Sequence, residues 1–220
     1  RSSDLKYTSL LWEPNEYINI MVYPFTDSQI LGISTFPYSL KDFFLEGTQQ
    51  VSASWITLEN LSFPYCISIN SSYIYEQSTD ERINQNDAAI TLAHELGHYL
   101  GLRHVFSEGG TTSMCTDTDY CKDTPSYNRS EYEQWLNNLD KQNKYQLKDL
   151  AKRYSCEKGE YEAHNIMDYA YCFYNEITLE QRKRIRHILN YSPLIPGPKE
   201  SRIDTRGVQG RLNLPICIMK

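Results

Sequence analysis

Several features that define large protein classes are scarce in this sequence of 220 residues. No apolar run approaches the roughly 20 residues needed to cross a bilayer, so no transmembrane segment is predicted. Positive charge is in the minority, with 22 Lys and Arg against 28 Asp and Glu and a net charge of -6. Nucleic-acid binders normally carry a basic patch or stripe, and the one basic cluster here lies at residues 182–186. We therefore expect no nucleic-acid partner.

The six cysteines include no C-x-x-C pair, which disfavours a thiolate zinc site or a thioredoxin-type redox motif. An even number of well-spread cysteines fits disulfides in an oxidising compartment. This predicts a secreted, periplasmic or cell-surface protein. The alternative is six buried free thiols in a reducing cytosol.

The apolar fraction of 40% is enough to build a sizeable core, which favours one domain over residues 1–220. Alternating or apolar segments predict strands, and helical spacing with capping residues predicts helices. The predicted strands are 17–24, 51–57 and 65–75, the last being a candidate sheet edge. The predicted helices are 87–100, one or two helices within 129–154, and 178–190. This order favours an α+β fold or a three-layer α/β sandwich.

The sequence HELGHYLGLRH, which begins at His94, contains three of the five histidines. His94 and His98 lie four residues apart, so a helix places them on one face, one turn apart. Two such imidazoles can share a zinc ion, and Gly101 can end the helix so that His104 supplies a third ligand. Three protein ligands leave one position for water, which is typical of a catalytic zinc site. Glu95 is placed to take a proton from that water.

Four separated segments resemble the metzincin metallopeptidases, and among them the pappalysin-like (cytophagalysin/ulilysin-type) family. One is the zinc motif with its extension to Phe106. The others are ILGISTFP at 30–37, KDTP at 122–125 and NIMDY at 165–169. These matches cover roughly residues 17–190, with an insertion around 129–155.

The resemblance implies a metzincin-like three-layer α/β/α sandwich with a twisted mixed sheet. Residues 1–104 would form an upper subdomain with the sheet and the active-site helix. Residues 105–220 would form an irregular lower subdomain with a Met-turn and a C-terminal helix. Met167 would be the turn methionine beneath the imidazoles, and Tyr169 matches a tyrosine that could donate a hydrogen bond to a developing oxyanion. The alternative is that both are ordinary core residues.

The resemblance also implies structural calcium near the KDTP segment, where hard oxygen ligands cluster. A solvated acidic loop is the alternative. The candidate calcium ligands are Asp117, Asp119, Asp123 and Thr124. Family precedent further implies disulfides that brace the loop after the zinc helix, although six cysteines allow 15 connectivities. The implied pairs are Cys115–Cys156, Cys121–Cys172 and Cys66–Cys217.

Together these observations predict a monomeric zinc endopeptidase that binds a protein or peptide substrate in extended form, with Glu95 as general base. A substrate strand pairing with the edge expected at 67–75 would provide such binding. The alternative is a catalytically silent or latent relative that retains the zinc site. Family members usually have a strand and a helix before the equivalent of 17–24, so we expect these upstream of Arg1 or reduced. A pro-segment or a lipid anchor upstream is compatible with this expectation.

Overall fold

The computed structural model describes residues 10–52, 65–107, 118–140, 143–155, 157–197, 199 and 216–219, with the main chain alone for 216–219. Its strands are β1 (Ile20–Tyr23), β2 (Gly32–Thr35), β3 (Tyr38–Leu40), β4 (Gln49–Val51), β5 (Ile67–Asn70), β6 (Lys152–Ser155), β7 (Gly159–Glu162) and β8 (Ile216–Met219). Its helices are α1 (Ala88–Tyr99), α2 (Arg129–Asn137), α3 (Leu147–Leu150) and α4 (Leu179–Tyr191). Short 3-10 turns cover Lys41–Phe43, Ser71–Tyr73 and Glu81–Asn86.

The main sheet is mixed and has the strand order β1-β5-β2-β8. β1 runs parallel to β5, whereas β2 runs antiparallel to both β5 and β8. Two small two-stranded sheets accompany it, β3 with β4 and β6 with β7. The described residues thus confirm an α+β fold with a mixed sheet.

Helix α1 packs on β2, β5 and β8, which places the histidine-bearing helix against the sheet. Apolar residues of the sheet, of α1 and of α4 share one buried cluster, which includes Ile67, Tyr99 and Ile188. α4 is the predicted C-terminal helix, and Thr178 caps it through a capping box with Gln181. The predictions of helices at 87–100 and 178–190 are therefore confirmed.

The prediction that 65–75 forms a sheet edge is wrong. β5 covers only part of this segment, and it lies between β1 and β2 with every residue buried. Ser71–Tyr73 turns away as a 3-10 helix. A substrate strand therefore cannot pair with β5, because both of its edges already carry hydrogen bonds to neighbouring strands.

The prediction of helix through 129–154 is wrong at its end. α2 and the single turn α3 are helical, but β6 begins at Lys152 and forms a hairpin with β7. Tyr154, the last residue of the predicted helical range, lies in β6 and is 74% exposed. The strand 17–24 is shorter than predicted. Ile20 and Val22 of β1 are about half exposed at 48% and 49%, and among the described strands β1 pairs only with β5. The predicted segment 51–57 lies mostly outside the described residues.

Among the described residues, no helix has the length and apolar character needed to cross a membrane.

Candidate metal centre and active site

Three imidazoles converge beneath the sheet, as the zinc motif predicts. The Nε2 atom of His104 lies 3.0 Å from Nε2 of His98 and 3.2 Å from Nε2 of His94. Tetrahedral zinc with bonds of about 2.05 Å would hold its ligand nitrogens about 3.3 Å apart. Within the described residues, this is the one group of three or more His, Cys, Asp or Glu side chains close enough to share a metal ion.

The hydrogen bonds of the rings leave the converging nitrogens available as ligands. Nδ1 of His94 lies 2.7 Å from the carbonyl of Ile166, and Nδ1 of His98 lies 2.8 Å from that of Leu102. A ring that donates its Nδ1 proton to a carbonyl carries its lone pair on Nε2. Burial lowers the pKa of His94 to about 4 and also lowers the pKa values of His98 and His104. All three rings are therefore neutral at pH 7, which is the form that binds zinc.

Glu95 follows His94 on α1 and is completely buried. It lies directly against β2, because a Cβ atom added to Gly32 would stand 2.6 Å from Glu95 Cγ and 2.9 Å from its Oε1. Only a glycine permits this approach of the β2 main chain. The glycine of the segment 30–37 thus has a local role that the motif comparison alone did not identify.

The turn after α1 brings the third histidine back. Gly101 has a φ of +87°, a left-handed conformation suited to glycine at a helix end. Its carbonyl accepts hydrogen bonds from Arg184 of α4 at 3.2 and 3.3 Å. A Cβ at Gly101 would also approach Ile188 Cγ1 to 2.7 Å. α4 therefore fixes the turn that carries His104.

Met167 forms an apolar floor beside the zinc helix. It is fully buried, and it packs so closely against Gly97 of α1 that a Cβ there would overlap its Sδ. The main-chain N–H of Met167 donates to Asn165 Oδ1 at 3.0 Å. The Asn165 side chain in turn exchanges two hydrogen bonds with Gln181 of α4, at 2.8 and 3.0 Å. The sequence predicts the position of Met167 but not the hydrogen bonds between Asn165 and Gln181, although Asn165 belongs to the same motif.

Replacing Gly97 by Ala is expected to destabilise the fold by about 1–3 kcal/mol through overpacking against Met167. Without the contact, alanine would raise helix stability by about 1 kcal/mol, so the sign of the change reports the packing. The measurement is the free energy of unfolding, together with zinc per chain. A second variant that also carries Met167→Ala should lose less stability than the two single changes added together. A Gly97→Ala variant as stable as the original chain would contradict the close contact.

The ring of Tyr169 closes one side of the site. Its centroid lies 4.5 Å from that of His104 and 5.4 Å from that of His94. The guanidinium of Arg129, at the start of α2, stacks 4.5 Å above the Tyr169 ring. This cation at the rim was not identified from the sequence, which placed residue 129 only within a predicted helix.

A buried ion pair supports the segment that carries Tyr169. Arg153 of β6 lies 3.5 Å from Asp168, between Nε and Oδ2, and both side chains are at most 1% exposed. Nη2 of Arg153 donates to the carbonyls of Tyr169 and Ala170, at 3.1 and 2.8 Å. Ala170 and Tyr171 both have a φ of +44°, a conformation that non-glycine residues keep only when their surroundings enforce it. Arg153 supplies that support from the insertion around 129–155.

The candidate calcium ligands make other contacts where they are described. Asp119 accepts hydrogen bonds from the Cys121 N–H and the Thr124 hydroxyl. Asp123 accepts one from the N–H of Glu180 at the start of α4. Asp117 lies outside the described residues, and calcium binding by this loop stays a prediction.

Two of the implied disulfides are not formed. Cys66, Cys121 and Cys172 are buried free thiols, which corrects the pairs Cys121–Cys172 and Cys66–Cys217. Cys172 Sγ instead donates to the carbonyls of Ala163 and Asn165. Burial raises the pKa of Cys66 to about 11 and that of Cys121 to about 12, so these thiols stay protonated. The pair Cys115–Cys156 lies outside the described residues.

A three-histidine centre completed after a glycine turn, with a methionine floor, defines the metzincin class of zinc metallopeptidases. Residues 47–190 match the family model described as "Pregnancy-associated plasma protein-A", and the chain belongs to that family. The resemblance to pappalysin-like metzincins is thereby confirmed.

Individual relatives are similar in sequence to this chain over part of their own length. The chain is 37% identical over 108 residues to an extracellular metalloprotease of Arthroderma benhamiae, covering 48% of this chain and 32% of that protein. It is 32% identical over 171 residues to one of Arthroderma otae, covering 76% of this chain and 49% of that protein. The chain thus spans about a third to a half of the length of these relatives. Mature mirolysin of Tannerella forsythia, solved in complex with a cleaved peptide, is similar over 84% of this chain and 58% of its own, with 22% identity and a TM-score of 0.48.

Proposed function

We propose that this chain is a zinc endopeptidase that hydrolyses peptide bonds of an extended protein or peptide substrate. The observation that carries the proposal is the convergence of three neutral Nε2 atoms beside a buried glutamate of the same helix. His94, His98 and His104 would hold the zinc ion. When bound, zinc would lower the pKa of a water ligand to about 7 and polarise the scissile carbonyl.

In this proposal the chain's own residues move the protons and stabilise the charge. Glu95 takes a proton from the attacking water and passes it to the leaving amine. Its neighbour Gly32 holds the β2 main chain close to this carboxylate. The Tyr169 phenol, beside two ligand rings, donates a hydrogen bond to the negative oxygen that develops on the carbonyl carbon.

Cleavage of casein or of a peptide library should stop when a chelator removes the metal and return when zinc is added back. We expect one zinc ion per chain in the active protein, measured by metal analysis. Because a chelator could also unfold the chain, circular dichroism of the apo form is the control. Cleavage that persists in the metal-free, folded chain would contradict a zinc mechanism.

The second candidate is a latent member of the family, and the closure of the site favours it. His94, Glu95 and His98 are fully buried and His104 is 7% exposed. A latent enzyme differs from a catalytically silent binding protein because the latent enzyme becomes active once its site opens. An activation experiment therefore separates the two.

The compartment proposed is extracellular. What supports it is the pair of relatives named as extracellular metalloproteases. The spread of cysteines no longer adds to this argument, since three of the six are free thiols. A monomer is proposed as well, and sedimentation of the purified chain would test it.

A further inference from the structure

β2 lies directly against Glu95, the proposed catalytic glutamate. Its Gly32 approaches Glu95 so closely that no side chain would fit between them. One edge of β2 pairs with β5, and the other faces away from the body of the sheet. That outer edge of β2 is consequently the sheet edge next to the zinc site.

The outer edge of β2 is occupied by the chain itself. β8 pairs with it antiparallel over four positions, from Gly32 opposite Met219 to Thr35 opposite Ile216. Helix α1 contacts β8 as well as β2. Residues 216–219 therefore lie as an extended main chain along the strand beside Glu95.

This position conflicts with substrate access. A peptidase that acts on extended chains commonly fixes the substrate main chain by adding it as a strand to an exposed sheet edge. Among the strands that the structure describes, the other edge of the main sheet belongs to β1, which is separated from β2 by β5. With β8 in place, the edge beside Glu95 offers no hydrogen-bonding groups to a second strand. The complete burial of Glu95 agrees with a closed site.

We infer that segment 216–219, paired with the outer edge of β2, is an internal competitor of an extended substrate main chain. The inference rests on the proposed endopeptidase function. β8 would detach from the outer edge of β2 before an extended peptide pairs with the same main-chain groups of β2. A competitor docked in roughly nine molecules of ten raises the apparent KM about tenfold and leaves kcat unchanged.

Proline at both Cys217 and Ile218 would remove β8 from the edge. Proline has no N–H to donate, and of two successive residues in an edge strand one must point its N–H toward the neighbouring strand. The double variant should show a KM about tenfold lower than the original chain with an unchanged kcat. The matched control is Ile20→Pro with Met21→Pro, the same pair of proline substitutions in β1, the outermost described strand on the other side of the sheet. It should not lower KM.

A binding measurement decides the inference independently of catalysis. In an anisotropy titration, a fluorescein-labelled peptide with the sequence of residues 212–220 should bind the Cys217→Pro/Ile218→Pro variant about tenfold more tightly than the original chain. Glu95→Gln added to that variant keeps the peptide from being cleaved during the titration. An inactive chain whose proline variant still binds the peptide more tightly would overturn the proposed function but support the competitor. An unchanged or higher KM, or a proline variant that melts like the control and does not bind the peptide more tightly than the original chain, would overturn the competitor.

Discussion

Glu95→Gln is expected to lower kcat about 10²–10⁴-fold, the usual contribution of a general acid–base group. Glutamine keeps the shape of the side chain beside Gly32 but cannot accept the proton of the attacking water. The three histidine ligands are untouched, so zinc should remain at one ion per chain. Single-turnover hydrolysis of a peptide substrate, with metal analysis of the same sample, measures both quantities.

The control for this change is Glu76→Gln, the same substitution at an exposed position outside the zinc motif. It should leave kcat and KM unchanged. A Glu95→Gln variant with the original kcat would remove Glu95 from the mechanism. A variant that loses zinc would instead show that Glu95 supports the metal site.

The parts of the site that could be predicted are those set by local geometry. His94 and His98 share a helix face because of the helical period, and Gly101 takes a positive φ that permits the turn to His104. Met167 is predictable because the motif around it, residues 165–169, is short and contiguous. In each case a few neighbouring residues determine the structure.

The position of a strand within a sheet is a different kind of property, and here sequence reasoning failed. The polar residues flanking 65–75 favoured an edge, yet β5 is enclosed because β1 and β2 arrive from distant parts of the chain. Likewise, the pattern at 129–154 is compatible with a helix up to residue 150. The pairing of β6 with β7 then overrides that local preference.

Arg153 shows the same limit within the site. Nothing in its local sequence distinguishes it from a surface arginine, and the local pattern predicts a helix there. Its role arises only when the β6–β7 hairpin places it against Asp168 and the carbonyls after Tyr169. A cation in a buried strand is informative once its partner is known, because an unpaired charge there would be very costly.

Arg153→Met is therefore expected to lower the free energy of unfolding by about 3–5 kcal/mol, the usual cost of breaking a buried ion pair from one side. Methionine fills much of the volume but leaves the Asp168 carboxylate without its cation. Urea unfolding at pH 7 measures the change. The matched control is Arg186→Met on the exposed face of α4, which should stay within about 0.5 kcal/mol of the original chain.

Two further measurements separate the lost charge from lost packing. Adding Asp168→Asn to Arg153→Met removes the uncompensated charge, so the double variant should be more stable than Arg153→Met alone. Burial raises the pKa of Asp168, and Arg153 is the largest influence that opposes this rise. Without Arg153 the folded-state pKa rises further above the unfolded value, and protonation then favours the folded chain. The loss of unfolding free energy in Arg153→Met should thus become smaller as the pH falls from 7 to 5. If that loss were independent of pH and equally large in the double variant, the substitution would have removed packing alone.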